Sequence, residues 1–122
     1  MTDAQGPTVL IVGPEPEIRR LAAAILTRRG LIVRTAVDAA DALDRLAPDR
    51  PDAVLVDVSP PQADVPALAH ALRRRAPALP IGLMSIDPDE AARFGLPTLA
   101  MPFSIAELVA FTMTLLAERP EG

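Results

Sequence analysis

The residues able to do chemistry in this 122-residue chain are few, and the gaps are as informative as the members. There is no Cys, Trp, Tyr, Asn or Lys, all twelve basic residues are Arg, and His70 is the single histidine. Disulfides, thiolate metal sites, thiol nucleophiles, lysine Schiff bases, a phosphate-loop lysine and multi-histidine metal sites are thereby excluded. What remains reactive clusters at the ends of short apolar runs. Asp57 closes Ala53-Val54-Leu55-Val56, Ser85 closes Ile81-Gly82-Leu83-Met84, and Gly13-Pro14 follow Val9-Leu10-Ile11-Val12. Met101-Pro102 follow Leu96-Pro97-Thr98-Leu99-Ala100. A carboxylate and a hydroxyl at neighbouring strand ends could accept a group or cap backbone N–H groups.

The elements that must position these residues follow from periodicity. Each run is short, continuous and β-rich rather than alternating, as strands buried on both faces require, and Leu31-Ile32-Val33 adds another, for five strands. Helical patterns lie between them. The first, about Glu15 to Arg29, sets Ile18, Leu21, Ala22, Ile25 and Leu26 on one face and ends at Gly30. The second covers about Ala39 to Ala47 with Leu43 and Leu46 inward, and Pro48 and Pro51 mark its exit. The third covers about Asp64 to Arg75, with Val65, Leu68, Ala69 and Leu72 inward. His70 falls on the opposite, solvent side, and Arg73-Arg74-Arg75 suit the negative end of the helix dipole. Ser104-Ile105-Ala106-Glu107 is a capping box, which starts a last helix at Ile105 that reaches about Glu118. Five strands alternating with helices predict an α/β fold, a (βα)5 doubly wound parallel sheet, as a single domain with its core at about 8–118. In such a sheet the site lies outside the carboxyl ends of the strands.

At those ends the sequence resembles the response regulator receiver domain, the CheY-like module of two-component signalling. The resemblance rests on Val12-Gly13-Pro14-Glu15-Pro16-Glu17-Ile18, Asp57-Val58-Ser59-Pro60-Pro61, Ser85 and Met101-Pro102-Phe103. It implies strand order 2-1-3-4-5, a phosphoacceptor at Asp57 with a proline four residues on at Pro61, a switch hydroxyl at Ser85, and a cis Met101-Pro102 bond. The resemblance places an acid pair at Gly13 and Pro14, a lysine at Met101 and a switch aromatic at Thr98, and this chain departs from it at all four. The segment from Ser85 to Thr98 is about six residues short, so the fourth helix, near Pro88 to Phe94, should make only about two turns.

Phosphoryl transfer to a carboxylate needs its developing charge neutralised, usually by a metal ion and a cation, and Mg²⁺ is anchored by carboxylates. Gly13, Pro14 and Met101 supply neither, which leaves an almost neutral pocket around Asp57. Glu15 is one position beyond the acid pair and reads as a first-turn helix acid. No cofactor is expected, and Mg²⁺ should bind weakly if at all.

The last helix carries more apolar surface than one core uses. Ile105, Leu108, Val109, Thr112, Leu115 and Leu116 form the inward stripe, yet Ala106, Ala110, Phe111 and Met113 widen it on both sides. In the receiver fold Phe94, Leu96 and Phe103 neighbour this helix, so a weak homodimer or a partner is expected at Phe94, Leu96, Phe103, Phe111 and Met113. The formal charge of −4 gives little means of holding a nucleic-acid backbone. No apolar run spans a bilayer, and the start lacks the features of a signal peptide, so the reading is a cytoplasmic protein. With nothing after Gly122, output is expected to pass through another protein, a histidine kinase or a downstream regulator. The expected function is thus non-enzymatic signalling by protein–protein interaction. A working phosphoacceptor at Asp57 is the alternative, and a small-ligand-binding flavodoxin-like domain the second.

Overall fold

The computed structural model describes residues 6–46, 50–58 and 64–119. Five strands, β1 (Thr8–Val12), β2 (Ile32–Ala36), β3 (Ala53–Asp57), β4 (Ile81–Ser85) and β5 (Thr98–Ala100), form one parallel sheet in the order β2-β1-β3-β4-β5. The helices are α1 (Pro16–Thr27), α2 (Ala39–Asp44), α3 (Val65–Arg75), α4 (Pro88–Ala91) and α5 (Ile105–Ala117). A single turn of 3₁₀ helix, Ala92–Phe94, extends α4.

Side chains alternate across a strand, so each central strand feeds two cores. From β1, Leu10 and Val12 join Val54, Val56, Ile81 and Leu83 beneath α2 and α3, where Ala42, Val65, Leu68 and Leu72 cover them. Val9 and Ile11 face the other way, with Ala53, Leu55 and Met84, under Ala22, Ile25 and Leu26 of α1 and Leu108, Leu115 and Leu116 of α5. β3 and β4 are buried along their whole length, which is why their sequences show no polar alternation. The edges are blunted: β2 is half-buried and carries Arg34 and Thr35, and β5 has three residues.

Helix ends follow local chemistry. Gly30 takes φ 86° beyond α1, a left-handed turn that a side chain would strain. Asp38 and Asp64 cap α2 and α3 by accepting the N–H of Asp41 and Ala67 at 2.9 and 3.2 Å. Both halves of the Ser104–Glu107 capping box are formed, at 3.0 and 2.8 Å. Met101-Pro102 is cis, as the resemblance implies.

Three expectations need correction or limits. Leu21 and Ile105 were placed in inward stripes but are 51% and 58% exposed. α1 seats itself through Ala22, Ile25 and Leu26, which leaves Leu21 on its flank, where with Ala24, Arg28 and Arg29 it borders a surface cleft shared with Ile105 at the start of α5. The α2 boundary at Ala47, the exit at Pro48 and the Ser59-Pro60-Pro61 match lie outside the described residues. Phe111 is only half-buried, yet its ring edge occupies the space beside Gly82, where an added Cβ would lie 2.7 Å from Cε2. It packs on β4 and contributes to the core, which removes most of it from an α5 docking surface.

Candidate functional site

The carboxyl ends of β1, β3, β4 and β5 bring Gly13, Asp57, Ser85 and Met101 to one end of the sheet. Their registers fix this, since Val12 pairs with Val56, Asp57 with Met84, and Ser85 with Ala100. Asp57 is 1% exposed and Ser85 3%. Gly13 is buried beside Asp57: a Cβ at Gly13 would lie 2.6 Å from the Asp57 Cβ and 3.3 Å from its Oδ2. The missing side chain is therefore what lets the β1 end approach the carboxylate. Gly13 is held there by its own N–H donating to the Ala36 carbonyl at 3.0 Å, and by Arg19, whose guanidinium donates to the Gly13 carbonyl.

Ser85 behaves as a strand-end hydroxyl, with Oγ accepting the Asp87 N–H at 2.9 Å. Its carbonyl accepts the Met101 N–H at 2.8 Å, which sets the Met101 backbone beside β4 while the thioether side chain packs on the α1/α5 core. Thr98 donates its hydroxyl to the Leu96 carbonyl at 3.0 Å. Glu15 is the exposed N-cap residue of α1 and its carboxylate caps nothing. His70 is exposed, as its helical position requires. Among the described residues no group of three or more His, Cys, Asp or Glu side chains is gathered for a metal ion.

Next to Asp57 opens a cleft of about 510 Å³, bounded by the ends of β1 and β3, the β2–α2 turn and the first turns of α3. Pro14, Val37, Ala39, Ala67, Leu68 and Ala71 form its apolar walls. Asp38 and Asp64, the cap residues of α2 and α3, are among the residues that line this cleft with Asp57, whereas Ser85 and Met101 are not. Asp41 braces one wall: its carboxylate accepts the Val37 N–H at 3.0 Å and pairs with Arg45 at 3.2 Å. The Val37 hydrogen bond, aided by Arg45, holds the Asp41 carboxyl below the ordinary carboxylate range.

Arg19, Asp38, Asp41 and Asp64 are the site residues that sequence reading passed over. The three aspartates had a legible signal, an acid just ahead of or within the first turn of an apolar-periodic helix. Arg19 had none, because its role depends on how α1 leaves β1.

Comparison with known proteins adds the lineage. The model of the response regulator receiver domain matches residues 9–98. The transcriptional regulatory protein PrrA of Mycobacterium tuberculosis is 33% identical over 124 residues, an alignment that covers 97% of this chain and 53% of PrrA. The response regulator MprA of Mycolicibacterium vanbaalenii is 33% identical over 114 residues, covering 88% of this chain and 49% of MprA. The chain spans about half the length of the curated relatives it matches. Among solved structures, the receiver domain of NtrX from Brucella abortus superimposes with a TM-score of 0.77 at 28% identity, covering 89% of this chain and 98% of that domain. A chemotaxis response regulator of Vibrio cholerae, at 24% identity and a TM-score of 0.78 over 91% of this chain and 99% of its own, shares the fold.

Proposed function

The chain belongs to the response regulator receiver domain family, and from that premise we propose that it is an atypical receiver that signals through protein contacts without Mg²⁺-dependent phosphorylation of Asp57. The observation that carries this reading is the closeness of Gly13 to Asp57. A side chain there would begin 2.6 Å from the Asp57 Cβ, so the β1 end has no room for a carboxylate that could share an ion with Asp57 unless the backbone shifts. Pro14 offers no donor, Glu15 lies exposed at a helix start, and the Met101 thioether cannot replace an ammonium at a phosphoryl group. These positions thus supply neither a metal anchor nor an ammonium to balance the charge that develops on a transferring phosphoryl group.

A second reading, a phosphoacceptor served by a histidine kinase, is favoured by one feature: Asp57 and Ser85 still end adjacent strands. The partner in either case is a signalling protein of a two-component system, acting in the cytoplasm. The names of the relatives point to transcriptional regulation as the process served, and any contact with nucleic acid would belong to other segments or partners, given the net charge of −4. A weak homodimer through α5 would use Met113, 47% exposed, with the half-buried Phe94, Leu96 and Phe103 at its margin.

Titration calorimetry with Mg²⁺ tests the proposal. No saturable heat at low millimolar metal is expected. A saturable isotherm that disappears in Asp57→Asn would return Asp57 to the second reading.

A further inference from the structure

We propose that the outer face of α1 pairs with the same face of a second copy of this chain, the two helices antiparallel about a two-fold axis that passes between Ala22 and Ala23. Glu17, Leu21, Ala24 and Arg28 recur at steps of four, three and four residues, the spacing of an interhelical seam, and all four are exposed. The helix turns its other side to the sheet through Ala22, Ile25 and Leu26. Leu21, 51% exposed, borders a cleft of about 380 Å³ that Ala24 also lines and that reaches Ile105 at the start of α5, itself 58% exposed. A projecting leucine and a small residue in a hollow thus lie three positions apart on one helix.

Two patterns that share one centre select the occupant. Glu17 and Arg28 are equidistant from the point between Ala22 and Ala23, and so are Leu21 and Ala24. In an antiparallel pair turned about that point, Leu21 of each copy meets Ala24 of the other, and Glu17 of each meets Arg28 of the other. A two-fold contact requires this kind of self-complementarity. Arg28 continues the helical backbone as the C-cap residue, its N–H donating to the Ala24 carbonyl at 3.2 Å, so acid and base stay about 16.5 Å apart along the axis. Neither side chain has an ion pair among the described residues. The antiparallel arrangement also sets the positive start of each helix dipole beside the negative end of the other. Parallel pairing would instead bring Glu17 against Glu17 and Arg28 against Arg28. With two large exposed apolar side chains per copy at this face, the contact is small and transient, at the low end of interface sizes. It is separate from the α5 surface at Met113, and its test needs neither metal nor phosphodonor, so it and the signalling reading can fail independently.

The chain has no cysteine, so introduced thiols are the only ones present, and the experiment is crosslinking of the whole chain by a short bismaleimide. Glu17→Cys and Arg28→Cys, both at exposed positions, are treated separately and as an equal mixture. In the mixture the two thiols face each other at one end of the helix pair, while the remaining Glu17 and Arg28 meet at the other. In either variant alone the thiols lie about 16.5 Å apart along the axis. The mixture is expected to form covalent dimer roughly tenfold faster than either variant alone, because the contact raises the effective concentration of the facing thiols. Adding Leu21→Ser to both chains should bring the mixture down to the single-variant rate with the far-UV circular dichroism unchanged, and Met113→Glu should leave the advantage intact. The proposal is overturned if the mixture is no faster than the single variants, as it would be were this face kept for a different protein, or if either variant alone matches the mixture. It is overturned equally if the advantage survives Leu21→Ser or is removed by Met113→Glu.

Discussion

Gly13→Ala tests whether the close approach of β1 to Asp57 is a steric fact of this fold. The new methyl carbon would lie 2.6 Å from the Asp57 Cβ, about 1 Å inside the optimal carbon–carbon separation of roughly 3.5–4.0 Å. Neither partner has slack, because Gly13 is hydrogen-bonded to Ala36 and Asp57 sits in a strand buried throughout. Overpacking of this kind typically costs about 1–3 kcal/mol. Gly13 is not in the left-handed region, so alanine also gains about 0.4–1 kcal/mol by narrowing the unfolded ensemble, and a net loss of about 1–2 kcal/mol remains. Far-UV circular dichroism in urea is the suitable assay, since the chain has no Trp or Tyr for fluorescence. The same substitution made in an Asp57→Gly background, where the opposing Cβ is gone, should be neutral or slightly stabilising; in Asp57→Ala, which keeps that Cβ, the cost should persist. A neutral Gly13→Ala in the natural sequence, or an equal cost in all three backgrounds, would refute the contact as the reason for glycine.

Two further outcomes follow from the same geometry. Phe111→Glu should lower stability by about 2–4 kcal/mol, because its ring fills the space beside Gly82, whereas Met113→Glu should leave the melting temperature unchanged while shifting any weak dimer to monomer in sedimentation. For Asp41, whose carboxyl is depressed in the folded state, the stabilisation is fully present above the ordinary carboxylate pKa and is lost as the pH falls through the lower folded value. Carboxyl-carbon NMR titration should place its midpoint below the ordinary aspartate range, and Asp41→Asn should remove that acid-side dependence; a midpoint within the ordinary range would contradict the Val37 hydrogen bond.

Much of the fold was legible because the rules involved are local. Continuous apolar runs ending at Val12, Val56 and Met84 read as doubly buried strands, the Ser104–Glu107 box set the start of α5, and the brief Pro88–Phe94 segment gave a truncated helix. Leu21 and Ile105 read wrongly because each sits at the margin of an apolar stripe, where exposure is decided by how α1 and α5 seat on the sheet. Phe111 read as surplus for the complementary reason: the vacancy it fills is created by Gly82, on a different element and 29 positions earlier. At the site, Asp57 and Ser85 were readable from strand ends alone. The cleft was not, since it depends on the separation of α2 from α3, and its acids were visible only as helix caps.

The proposal that this receiver signals without phosphorylation is tested most directly by intact-mass spectrometry after acetyl phosphate treatment, with and without Mg²⁺. The account predicts an unchanged mass in both conditions. A gain of one phosphoryl mass that requires Mg²⁺ and is absent in Asp57→Asn would contradict it.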